Sequence, residues 1–158
     1  MNESTSFIEE IEILFDFAQN SISNKNQVVK FGKIDDIQAA LIFEKTEIDI
    51  KGYQRVIDVY GIKHALKQHG NEQQEEKRGQ IAIKKEDFLL IPQIVTSENV
   101  IWAGKNRIGK DCLLYEAIID DIFYYVEEVR IGRKELALNT LYKRKPPKLD
   151  GSTAMRKT

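Results

Sequence analysis

Apolar residues at Phe7, Ile8, Ile11, Leu14, Phe15 and Ala18 recur every three or four positions, the spacing that gives a helix one buried face. Glu9 and Glu10 suit the positive end of such a helix, and Ser4, Thr5 or Ser6 can cap it. Residues 19–27 are rich in Asn and Ser and read as a loop. Residues 28–34 suit a short strand, and Asp35 or Asp36 suits the cap of a helix through Leu41, Ile42 and Phe43; the run 39–43 reads equally well as a buried strand. Between residues 53 and 69 the apolar positions Val56, Ile57, Tyr60, Ile62, Ala65 and Leu66 lie close to helical spacing, and Gly70 stands where a helix stops. This predicts one helix that carries both histidines of the chain, His64 and His69, toward its C-terminal end.

Residues 71–79 (NEQQEEKRG) have no apolar periodicity and predict an exposed, mobile loop. Ile81 and Ile83 open a brief extended piece, and residues 85–95 predict a short helix kinked or ended near Pro92. The pattern then changes. Residues 99–105, 112–119, 122–131 and 135–143 are rich in β-branched, aromatic and apolar side chains, separated by the turn signals RIG, DD and GRK. Short connections predict a meander, so the expected fold is α+β, with N-terminal helices followed by a four-stranded antiparallel sheet.

A chain of 158 residues that is 42% hydrophobic suffices for one domain with a substantial core. Its single cysteine, Cys112, excludes an intramolecular disulfide and a cysteine-rich zinc site. No N-terminal apolar run resembles a signal peptide or membrane span, which predicts a cytoplasmic protein without a membrane partner. The net charge of −1 conceals an asymmetry: residues 1–50 hold four lysines against ten acidic residues, whereas residues 130–158 hold nine basic residues against two acidic ones. The late basic run is either a phosphate-attracting strip or a solubilising tail.

Two imidazoles, a hydroxyl and a fixed cation are the parts that a metal-independent RNA cleavage needs: one ring takes a proton, the other gives one, and donors hold the charged phosphate. Five helical steps of about 100° separate the two rings by about 140° around the axis, so a regular helix does not aim both at one point. A spacing of five, with no further histidine and one cysteine, does not match helical zinc sites, and no metal is expected. No glycine-rich phosphate loop implies a cofactor, and no spacing nominates a nucleophile triad. Late in the chain, strand alternation puts Thr140 and Tyr142 on one side as hydroxyl donors, with Lys143 as a cation beside them. The plainer reading of that stretch is an edge strand running into a solvated basic tail.

The succession KHALKQHG, EEKRGQIAI, EDFLLIPQIV, YYVEEVR and NTLYKRK resembles the phage-associated branch of the barnase, EndoU, colicin and RelE-like (BECR) nucleases, over residues 48–145. The resemblance implies a nuclease domain there, with residues 1–47 as a helical segment or cap and residues 146–158 as a basic tail. It carries a catalytic role onto His64, His69, Thr140, Tyr142 and Lys143, and a substrate-binding or positioning role onto Arg78 and Gln80; the basic Arg144 and Lys145 extend the substrate-binding set. The implied activity is a metal-independent endoribonuclease of toxin or effector type, cutting RNA such as tRNA to a 2′,3′-cyclic phosphate. The alternative is a catalytically inactive RNA-binding or phage structural protein of the same fold. Expected partners are RNA and either an immunity protein or a phage structural protein, in a bacterial cytoplasm reached directly or by phage delivery; the acidic N-terminal segment reads as a surface for docking on the basic face or such a partner, or as an ordinary solvated helix.

Overall fold

The computed structural model describes residues 3–20 and 27–147. In chain order it contains α1 (Glu3–Asn20), β1 (Val28–Lys33), α2 (Asp36–Thr46), β2 (Gln54–Asp58), α3 (Val59–His69), α4 (Glu72–Lys77), α5 (Lys85–Phe88), α6 (Ile91–Ile94), β3 (Val100–Lys105), β4 (Asp111–Ile119), β5 (Asp121–Arg130) and β6 (Glu135–Arg144). The strands form one sheet in the order β1-β2-β6-β5-β4-β3. The expected α+β class holds and the β3 to β6 meander is present. The sheet nevertheless has six strands and is mixed, because β2 pairs antiparallel with β1 and parallel with β6.

The extra strand corrects the expectation of one helix from residue 53 to 69. Residues 54–58 lie between two strands, and Arg55, Val56, Ile57 and Asp58 are all buried. A strand covered on both faces loses its polar alternation and becomes a continuous run that helical spacing also fits. Asp58 then ends β2 and starts α3 in one residue, its carboxylate accepting from the Gly61 N–H at 2.7 Å. Asp35 caps α2 by accepting from the Gln38 N–H at 2.7 Å, which decides for helix over strand in that segment. Pro92 opens α6 instead of ending a helix, since the first turn needs no proline N–H. The side chains expected to cap α1, residues 21–26 of the expected loop and the tail from residue 148 onward lie outside the described residues.

Alternation along β4 and β5 sends Leu113, Tyr115, Phe123, Tyr125 and Val129 into one core with α1, α2, α3 and α6, while Leu114, Glu116, Tyr124 and Val126 stay half-buried on the opposite, open face. No described helix is long and apolar enough to cross a membrane.

β6 is longer than its neighbour β2, and that mismatch positions the site. β2 covers the edge of β6 only from Glu135 to Ala137. Beyond it α3 takes over: a Cβ on Gly61 would lie 2.6 Å from the Leu138 carbonyl oxygen, so glycine is what lets this helix lie directly on the strand. Farther along, Ile81 bridges to Lys143, donating its N–H to the Lys143 carbonyl at 2.9 Å. Opposite β5, β6 carries a bulge: Glu127 pairs with Leu138 and Val126 with Thr140, leaving Asn139 as the extra residue.

Candidate active site on the sixth strand

The bulge at Asn139 decides which side chains the site receives. Leu136 and Leu138 point into the core, and strict alternation would send Thr140, Tyr142 and Arg144 after them. The extra residue reverses the phase, so Leu141 is buried instead and Tyr142 faces Tyr124 across the open side of the sheet. The Asn139 carbonyl lies 2.7 Å from His64 Nδ1. A carbonyl only accepts, so Nδ1 carries the proton and Nε2 of the neutral ring is left as the basic nitrogen.

His69 ends α3, its backbone carbonyl accepting from the Ile83 N–H at 3.0 Å. Its Nδ1 is 3.1 Å from Oε2 of Glu75, a side chain with 0% exposure, so again Nδ1 donates and Nε2 is the ring nitrogen left over. The imidazole stacks on Tyr142 at 4.8 Å between ring centres, Tyr142 stacks on Tyr124 at 4.9 Å, and Arg144 donates from Nε to the Tyr124 hydroxyl at 2.9 Å. Burial, with Tyr124 and Glu116 nearby, raises the Tyr142 pKa, which keeps its phenol neutral. Tyr60, one turn before His64, lies parallel to that imidazole at 6.1 Å. Between the two histidine contacts sits Thr140, whose hydroxyl oxygen is buried without a hydrogen-bond partner among the described residues.

His64, His69, Thr140, Tyr142 and Arg144 are thus gathered along one strand. Lys143 is not. It points to the opposite side, where its ammonium meets Asp87 at 3.0 Å and Asp121 at 3.7 Å and lies over the Phe123 ring. Lys145 is exposed beyond the strand end. Arg78 contacts Glu75 at 2.7 Å and the Gln68 carbonyl at 2.7 Å. Gln80 donates its N–H to the Glu75 carbonyl at 2.7 Å, and its side-chain oxygen is buried without a partner among the described residues. Burial pushes the Cys112 thiol pKa up, which disfavours a thiolate nucleophile there. Among the described residues no group of three His, Cys, Asp or Glu side chains forms a metal-ligand set.

Sequence reasoning missed Glu75, Asn139 and Tyr124. Residues 71–79 hold α4, whose cap, Asn71, accepts from the Gln74 N–H at 2.9 Å; an Asn followed by acidic residues was the available signal. The bulge left no signal of its own.

The sequence model of one protein family, phage-Barnase-EndoU-ColicinE5/D-RelE like nuclease3, matches residues 32–150. The chain belongs to this family. No curated protein and no solved structure matches it. Membership makes the chain a phage-associated nuclease in general terms. The matched span takes in α2, β2 and the whole strand-and-helix arrangement around β6.

Proposed function

We propose that this BECR-family nuclease is an endoribonuclease of toxin or effector type that cleaves RNA by metal-independent transesterification, with His64 as general base and His69 as general acid. The observation that carries the assignment is the pair of Nδ1 partners. A neutral carbonyl holds the Nδ1 proton of His64 and leaves the lone pair on Nε2, whereas a buried carboxylate complements the protonated ring of His69. His64 Nε2 takes the proton of a ribose 2′-hydroxyl, and the 2′-oxygen forms a bond to phosphorus. The bond from phosphorus to the 5′-oxygen breaks, and His69 Nε2–H gives its proton to that leaving oxygen. The products are a 2′,3′-cyclic phosphate and a 5′-hydroxyl. Arg144, on the strand face that Thr140 and Tyr142 share, is the cation for a phosphate oxygen, while the Thr140 hydroxyl is itself buried.

A non-cleaving RNA-binding role is the second reading, and the engagement of Lys143 with Asp87 favours it, because one expected phosphate-binding cation is already neutralised. The test is incubation of purified protein with total RNA in EDTA, followed by detection of cyclic-phosphate ends. Cleavage is expected to persist in chelator, and His64→Ala and His69→Ala are each expected to lower it by roughly 10²- to 10⁴-fold with an unchanged circular dichroism spectrum. Full activity in either variant, or binding without any cleavage by the wild-type chain, would sink the mechanism.

A further inference from the structure

We propose that Glu75 is a positioning residue for His69 and that Arg78 is its counterion, so that α4 exists to hold the general acid in one orientation and one tautomer. The inference rests on the reading of His69 as the acid. The Glu75 side chain is wholly buried, and burying a carboxylate is costly unless each oxygen is satisfied. Both are: Oε2 accepts from His69 Nδ1 at 3.1 Å and Oε1 accepts from Arg78 Nη1 at 2.7 Å. The same Arg78 nitrogen also donates to the Gln68 carbonyl at 2.7 Å, in the last turn of α3, so the guanidinium ties α4 to the helix end that carries His69. The backbone closes the end of α4 locally, since Glu75's carbonyl accepts from the N–H of Arg78 at 3.0 Å and of Gln80 at 2.7 Å. Arg78 Nη1 is therefore engaged by Glu75 and the Gln68 carbonyl, while the side chain stays about half exposed.

The arrangement asks for an acceptor at both carboxylate oxygens, and an amide supplies only one. In Glu75→Gln the amide oxygen answers Arg78, and the NH2 group faces His69 Nδ1, which then must give up its proton. Proton donation to a 5′-oxygen should suffer, while attack by the 2′-oxygen should not. The experiment compares cleavage of RNA with cleavage of uridine 3′-(p-nitrophenyl phosphate), whose leaving group departs without being protonated. Glu75→Gln is expected to lower RNA cleavage by roughly 10- to 100-fold, within the range a general acid contributes, and to leave cleavage of the activated ester within about threefold of wild type. Arg78→Met in that background frees the amide oxygen for His69 and is expected to recover part of the loss; Arg78→Met alone tests the clamp at its half-exposed end, with the same selective loss but smaller.

Equal loss on both substrates in Glu75→Gln and Arg78→Met would make Glu75 merely structural and overturn the proposal, as would a Glu75→Gln enzyme as active on RNA as wild type. His69→Ala keeps the two failures apart: if it does not itself separate RNA from the activated ester, the general-acid reading falls, and if it does while the Glu75 and Arg78 variants do not, only the positioning role falls.

Discussion

An ammonium group 13% exposed, seated 3.0 Å from a carboxylate that is 5% exposed, is a structural charge before it is a catalytic one. Asp87 accepts the Lys84 N–H at 2.8 Å through its other oxygen, so Lys143 and the start of α5 share one carboxylate. Truncating Lys143 strands that carboxylate in the interior. Removing one partner of a buried pair costs about 3 kcal/mol or more, while replacing both by apolar groups is often neutral. Lys143→Met is accordingly expected to lower the melting temperature by about 6–12 °C, at roughly 2–4 °C per kcal/mol for a domain of this size. Lys143→Met/Asp87→Leu is expected to recover part of it, since the Lys84 N–H then lacks its acceptor. Thermal unfolding of both variants checks this, and an unaltered melting temperature in the single variant would return Lys143 to the substrate side. The residue type was legible in the sequence. Its direction was not, because a bulge between Leu138 and Thr140 reverses the face of every later residue, and nothing in NTLYKRK marks where it falls.

At the scale of elements, α3 and β6 carry the site, and one glycine, Gly61, sets how closely their backbones approach. Elsewhere in a helix interior, Gly→Ala would stabilise by about 0.5–1 kcal/mol. At Gly61 the added methyl would meet backbone, the Leu138 carbonyl oxygen at 2.6 Å, and backbone does not swing aside as a side chain end does. Overpacking of this kind costs about 1–3 kcal/mol, so the clash outweighs the propensity. Gly61→Ala is expected to destabilise the protein by about 1–2 kcal/mol and to depress RNA cleavage as well, because a helix lifted from β6 carries His64 away from the Asn139 carbonyl. Denaturant unfolding with parallel activity assays measures both; a variant more stable than wild type would show that the contact is slack. The end of α3 was readable from Gly70, and the four late strands from their turns. The start of α3 was hidden because Arg55, Val56, Ile57 and Asp58 are all buried, so β2 lacks polar alternation, and its pairing with β1 and β6 joins segments distant in sequence that no local pattern records.

Seen whole, the molecule closes its core around a charged ring. Arg55 donates to Glu127 at 3.1 Å, to Gln38 at 2.9 Å and to the Tyr115 hydroxyl at 3.0 Å, and Tyr115 donates to Glu127 at 2.6 Å. Although burial works against the charged guanidinium, Glu127 and Tyr115 more than offset it and keep Arg55 protonated. Burial raises the Tyr115 and Tyr125 pKa values well above the ordinary 10, with the Glu127 carboxylate pushing the same way. A group that binds its proton more tightly when folded stabilises the fold below its unfolded pKa and withdraws that stability as pH rises toward its folded pKa. Stability is thus expected to be insensitive to these two phenols below about pH 10 and to fall steadily above it, since the unfolded chain releases protons there that the native state retains. Because burial raises both phenols well above the ordinary value, both are expected to appear as tyrosinate together with unfolding. A titration that follows tyrosinate absorbance near 295 nm together with far-ultraviolet circular dichroism should show the last part of the absorbance rise coinciding with loss of structure; complete ionisation of all six tyrosines over an intact spectrum would mean that the ring around Arg55 is open to water.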